Sequence, residues 1–143
     1  MIAVDTNVLV YAHRRDSDFH EPAAAAVRRL AEGRARWALP WPCLHEFLAI
    51  VTHPRVFDPP SPLNAAVDQV DAWVEAPGLT LLGEADDHWE QLRDVLLAAR
   101  VAGPLVHDGR VAALCRSHGV RELWTVDRDY ARFPGVAAVN PLV

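Results

Sequence analysis

Four acidic residues stand where an acid is hard to account for structurally. Asp5 closes the apolar opening Ile2-Ala3-Val4, and Asp127 closes Leu123-Trp124-Thr125-Val126. Asp108 opens a helix-like segment behind Gly103-Pro104-Leu105-Val106, and Glu46 is embedded in the apolar run from Cys43 to Val51. Carboxylates are rarely fully buried unless they are paired or bind a metal. Brought together, they would repel and raise one another's pKa, so such a cluster needs a cation or a shared proton. Mg²⁺ and Mn²⁺ prefer oxygen ligands. Such an ion acidifies a bound water and stabilises a phosphoryl transition state. Four acids therefore suit metal-assisted hydrolysis of a phosphodiester.

The elements that must position these acids follow from apolar periodicity and from the breakers. Ile2 to Val4 reads as a buried strand and Thr6 to His13 as a helix that Asp5 or Thr6 would cap. Pro22 to Glu32 is an alanine-rich helix stopped by Gly33. Trp37 to Leu39 is a strand, and Pro42 opens a helix to about Thr52, with Pro54 forbidding its continuation. Arg55 to Pro60 is a proline-rich loop, and Ser61-Pro62 should cap a helix that runs to Glu75. Leu79 to Leu82 is a strand. From Asp86-Asp87 a helix should turn Trp89, Leu92, Leu96 and Ala99 toward the core. A helix from Asp108 to His118, a strand from Leu123 to Val126 and a weak strand from Ala137 to Val139 complete the chain.

Short apolar strands alternating with helices predict an α/β fold, a mostly parallel sheet covered on both faces, with residues 1–143 as a single domain. Ligands bind such sheets beyond the carboxyl ends of the strands, where Asp5 and Asp127 would stand. They converge if the first strand and the Leu123 strand are neighbours. Glu46 and Asp108 would join them from helices.

Each acid also has a plainer role open to it. Asp5 and Asp108 could cap helices, Asp127 could shape a turn, and Glu46 could pair with a buried arginine. Seven histidines are scattered along the chain, and only His107, beside Asp108, invites a test. Cys43 and Cys115 lie in separate helical patterns and read as small buried apolar side chains, with no spacing that suggests zinc. The net charge is −5, which argues against a generic nucleic-acid binder. All 14 cations are arginine, a residue that pairs well with phosphate. No run approaches the ~18 apolar residues of a membrane helix, so a cytoplasmic protein is expected.

Val4-Asp5-Thr6-Asn7-Val8-Leu9-Val10-Tyr11-Ala12 resembles the opening motif of the PIN-domain family. Val106-His107-Asp108-Gly109-Arg110-Val111-Ala112-Ala113-Leu114 resembles its central motif, and Leu123 through Tyr130 its closing one. Phe133-Pro134-Gly135 through Asn140-Pro141 is similar to the family's ending. The resemblance spans nearly the whole chain, with the motifs in order, and is nearest to VapC-type toxins, the ribonuclease halves of bacterial toxin–antitoxin modules. It implies a three-layer PIN-like fold and RNA hydrolysis dependent on Mg²⁺ or Mn²⁺, leaving 5′-phosphate and 3′-hydroxyl ends. It also implies a homodimer, a VapB-type antitoxin partner and a bacterial cytoplasmic setting. Carried over by position, Asp5, Glu46, Asp108 and Asp127 would form the acidic site. Asn7 and Thr125 would orient its carboxylates. Asp129 could replace Asp127 in part. Arg14, Arg15, Arg110 and Arg128 are candidates to grip RNA. Gly109 departs from the small residue, such as alanine, usual there, and Tyr130 from the usual phenylalanine. The rival readings are a DNA-directed phosphoesterase, a non-catalytic module that binds metal and a basic peptide, and a receiver-like domain. The absence of lysine argues against the last.

Overall fold

The computed structural model describes residues 1–143. Five parallel strands form one sheet in the order β3-β2-β1-β4-β5. They are β1 (Ile2–Val4), β2 (Trp37–Pro40), β3 (Leu79–Leu82), β4 (Glu122–Trp124) and β5 (Ala137–Val139). The helices are α1 (Thr6–His13), α2 (His20–Glu32), α3 (Trp41–Val51), α4 (Leu63–Val74), α5 (His88–Ala99) and α6 (Leu105–Ser117), with a 3₁₀ turn at Arg128–Arg132. Ala3, Val4, Trp37, Ala38, Leu39 and Leu123 are fully buried, as residues of inner strands covered on both faces must be.

The chain steps outward from β1 to β2 and β3, then returns across the sheet to β4. Right-handed crossovers put the helices of the outward path on one face and those of the return path on the other. The packing agrees: α1 contacts α2 and α3, and α3 contacts α4, while α5 and α6 pack on each other. The direction of winding reverses between β1 and β4. That switch point opens a crevice at the carboxyl edge of the sheet.

Several elements differ from expectation. β4 ends at Trp124, so Thr125 to Asp127 lie beyond it. α6 begins at Leu105, which places Asp108 inside its first turn and not at its start. Pro62 and not Ser61 occupies the N-cap of α4, and the Ser61 hydroxyl engages His13 and Arg14 instead. On α5 the inward face centres on Leu92, Val95 and Ala99. At 100° per residue this leaves Trp89 off that face, and it is 64% exposed. Gly109 is buried where α6 meets α5, and a Cβ there would lie 2.6 Å from Leu96 Cδ2. Close helix approach is what this glycine provides. Gly119 stops α6 with φ +71°, a conformation that favours glycine.

Candidate active site: an acidic cleft at the sheet's carboxyl edge

The register pairs Val4 with Trp124, so the next residues, Asp5 and Thr125, stand side by side at the switch point. The Asp5 amide donates to the Trp124 carbonyl at 2.9 Å. Asp5 has N-cap backbone geometry ahead of α1, yet its side chain does not cap that helix. Oδ2 accepts from Thr125 Oγ1 at 2.8 Å and from Asn7 Nδ2 at 3.3 Å. Oδ1 faces the Cys43 thiol and the Tyr130 hydroxyl, each at 3.5 Å. Asn7 and Thr125 are themselves tied into the same region. The Asn7 amide reaches Thr125 Oγ1, and its carbonyl accepts from the Val126 amide. The Asp127 amide donates to Thr125 Oγ1 at 3.0 Å. Thr125 and Asn7 therefore hold the Asp5 carboxylate in one orientation, with Cys43 and Tyr130 facing its other oxygen. Burial raises its pKa, hydrogen bonds from Thr125 and the Thr6 backbone oppose the shift, and Asp127 adds repulsion.

The other acids arrive from three elements. Asp127 caps the 3₁₀ turn, one oxygen accepting from the Asp129 amide at 2.9 Å, so it serves the turn and the cleft at once. Asp108 comes from the first turn of α6, where the helix dipole favours a negative charge. Partial burial, reinforced by Asp127, Asp5, Asp129 and Glu46, pushes its carboxyl up to about 6. Glu46 corrects the sequence reading most clearly. Its helix has a solvent face after all, made by Trp41, His45, Glu46 and Ala49 at helical spacing. Cys43, Leu44, Phe47 and Val51 form the buried face. Glu46 projects into the cleft without an arginine partner, and its pKa is raised by partial desolvation and then by Asp5.

The cleft encloses about 420 Å³, and Asp5, Glu46, Asp108 and Asp127 all line it. None of the four is in a salt bridge. Carboxylate oxygens of Asp108, Asp127 and Asp129 lie within 4.8 Å of one another, a grouping that could hold a metal ion. Asp129 also meets Arg132 at 3.7 Å. An all-oxygen donor set, crowded and with an arginine on Asp129 alone, fits a hard divalent ion.

A model of the PIN domain matches residues 2–136. The chain belongs to the PIN-domain family. Two named relatives narrow the likeness to its VapC ribonucleases. Ribonuclease VapC48 of Mycobacterium tuberculosis is 34% identical over 137 residues, 96% of this chain and 94% of that protein. Ribonuclease VapC43 of the same species is 34% identical over 142 residues, 99% and 96% of the two chains. In three dimensions this PIN domain is similar to the crystal structure of VapBC2 from Rickettsia felis bound to a promoter DNA fragment. The TM-score is 0.70 at 16% identity, covering 98% of each chain, a likeness of fold.

Not every residue expected at the site reaches it. Arg110 lines the cleft, its guanidinium bound to Glu84 at 2.8 Å. Arg15 instead borders a groove with His20, Glu21 and Arg28, and Arg128 does not line the cleft. Arg14 does not line the cleft, and its side chain is only 11% exposed. It donates to Asp16, Ser61 and the Pro59 carbonyl and sits 4.2 Å above the Phe57 ring. It fastens the end of α1 to the proline-rich loop. Arg14→Ala is expected to lower stability to urea by about 2 kcal/mol and leave RNA affinity unchanged.

Among the titratable side chains of the cleft, the sequence reading missed His45, Cys43 and Tyr130. His45 shares the solvent stripe of Glu46, and that spacing was the available signal. Nothing local marks Cys43 or Tyr130 as a neighbour of Asp5. His107 does line the cleft.

Proposed function

We propose that this VapC-family ribonuclease hydrolyses RNA phosphodiesters by direct attack of water, with Mg²⁺ or Mn²⁺ as cofactor. The single observation that carries the reading is the convergence of four uncompensated carboxylates at the switch point. Asp5, Asp108 and Asp127 are the residues that would hold the ion, with Asp129 as a neighbour able to assist. When bound, the ion supplies a more acidic water and charge stabilisation at the phosphoryl group. Asp5 is kept in one orientation by Thr125 and Asn7, which would fix the direction of the oxygen it offers to the ion. Glu46, on the stripe of α3 that lines the cleft, would hold the attacking water and take its proton. Arg110, at the rim, would meet a substrate phosphate.

As the toxin of a type II module, the protein would be held inactive by a VapB-type antitoxin. A basic segment laid over the cleft, with an arginine among the acids, suits their charge. We include in this reading a homodimer acting in the bacterial cytoplasm. No helix is long and apolar enough to cross a membrane.

The test is cleavage of total RNA with Mg²⁺ or Mn²⁺, beside EDTA and an Asp5→Asn variant. Discrete metal-dependent fragments with 5′-phosphate ends are expected. Ends carrying a 2′,3′-cyclic phosphate would overturn the mechanism, because they require attack by the ribose. Thr125→Val removes the hydroxyl that bonds Asp5, Asn7 and Asp127 while keeping the side chain's shape. It should weaken Mn²⁺ binding roughly 10- to 100-fold in calorimetric titration.

A further inference from the structure

Beside the acidic cleft runs a second groove of about 390 Å³, bordered by Trp41, Pro42, His45, Gly83, Glu84 and Arg110. Pro42, His45 and Arg110 line both spaces, so groove and cleft adjoin. We propose that this groove is a subsite for one unstacked nucleobase of the RNA substrate, with Trp41 as its stacking platform. The proposal rests on the RNA-cleaving reading and names where that RNA is recognised.

Trp41 is the first residue of α3, and it is 41% exposed although Trp37 and Trp73 of the same chain are buried. A single exposed aromatic residue is ordinary on a protein surface. This one is set apart by its surroundings. One turn along the solvent stripe of α3, His45 holds its ring 5.9 Å from the Trp41 ring at 34°. The two rings are neighbours, and their tilt is not a closed stack. On the other side the indole edge meets Gly83, where a Cβ would lie 3.7 Å from Trp41 Cδ1 and the glycine leaves that edge uncovered. His118 hydrogen-bonds the Gly83 carbonyl at 2.8 Å and anchors this wall to the end of α6. The platform is therefore bounded by fixed backbone.

The polar groups of the groove suit a base edge. Glu84 offers acceptors and Arg110 donors, their charged groups 2.8 Å apart. Every Watson–Crick edge sets a donor beside an acceptor, so this pair can be exchanged for contacts to a base. Single-stranded RNA is recognised in this manner, with bases splayed onto aromatic planes and their edges hydrogen-bonded. Arg110 stands at the junction of the two spaces, where it would meet the phosphate that links a base in the groove to the phosphodiester among the acids. A second copy of the chain would need only apolar cover for Trp41 and would have no use for acids beside it.

The experiment uses the full chain and a pool of random-sequence single-stranded 12-nucleotide RNAs. In the first arm, cleavage products are sequenced. The parent should show a base preference at a fixed position beside the cut. Trp41→Ala should flatten the preference at that position and lower kcat/KM roughly 10- to 100-fold, and Trp41→Phe should restore most of both. In the second arm, the pool is bound to Asp108→Asn protein, which is designed not to cleave. Adding Trp41→Ala should weaken that binding by a similar factor. Cleavage with preference and affinity unchanged in Trp41→Ala overturns the subsite and leaves the ribonuclease reading standing. No cleavage by the parent, with binding still dependent on Trp41, overturns the ribonuclease reading and leaves the subsite standing. A Trp41→Ala protein of smaller oligomeric size with an unchanged base preference gives the face to a second copy and overturns the proposal.

Discussion

Asp108→Asn is expected to lower RNA cleavage by two to three orders of magnitude while leaving the metal-free fold at least as stable as the parent. The activity loss follows from removing one charged oxygen ligand from the set that would stabilise the reacting phosphoryl group, an effect of roughly 10²- to 10³-fold. The stability result follows from the opposite sign of the same charge. Without a cation, Asp108 sits among Asp127, Asp5, Asp129 and Glu46, and all of them repel it. Asparagine keeps the shape and removes that repulsion. Thermal unfolding in EDTA should therefore show an equal or higher Tm for the variant. Adding Mg²⁺ should raise the Tm of the parent, because a ligand bound only by the folded state stabilises it, and should raise that of the variant far less. A variant destabilised in EDTA would assign Asp108 a structural role. A variant that cleaves RNA like the parent would remove it from the mechanism.

The second large effect is a reversal of pH dependence by metal. The Asp108 carboxyl is held at about 6 in the fold, against 3.8 for an ordinary aspartate. The folded chain therefore binds this proton more tightly than the unfolded chain does. Across the interval from about 3.8 to about 6 the native state carries more protons, so the stability of the metal-free protein from this group falls as pH rises. Above about 6 the penalty is fully present. Asp5 and Glu46 are also raised, chiefly by burial, and act in the same direction. A metal needs the deprotonated ligands, so its affinity should fall about tenfold per pH unit as the pH drops below the Asp108 value. Cleavage at subsaturating Mg²⁺ should follow that slope, and the Mg²⁺-induced rise in Tm should grow with pH and then level off. The checks are melting curves from pH 4.5 to pH 8 with EDTA or Mg²⁺, and Mn²⁺ titrations over the same range, about the span in which carboxylates so shifted titrate. A Tm difference independent of pH would mean that the ion does not contact these acids.

Much of the architecture was legible because it is local. Strand β1, helix α1 and the breaks at Gly33 and Pro54 follow from apolar runs and from the backbone limits of proline and glycine. The acids themselves were legible as anomalies, charges at the ends of apolar segments. Where the reading erred, the cause was packing. Trp89 fitted the apolar pattern of α5, yet the helix turns Leu92, Val95 and Ala99 inward. Glu46 looked enclosed because its sequence neighbours are apolar, yet a helix separates adjacent residues by 100° and leaves Glu46 on the solvent stripe. Arg14 looked free for RNA because nothing adjacent in sequence shows Ser61, Pro59 and Phe57 closing over it.

Residue types and their order were sufficient for the kind of chemistry, the α/β class and the family. Strand order was beyond them, since short apolar strands can pair in many sequences and only the packed sheet selects one. In this chain the selected order sets β1 beside β4, bringing Thr125 onto Asp5 across 120 positions of sequence. The same packing decides that Asp108 shares its space with Asp127, that Arg110 lines the cleft while Arg14 does not, and that Trp41 remains open in the adjoining groove. These are long-range outcomes of how helices rotate and settle on the sheet. No local pattern of residues encodes the direction in which such side chains finally point.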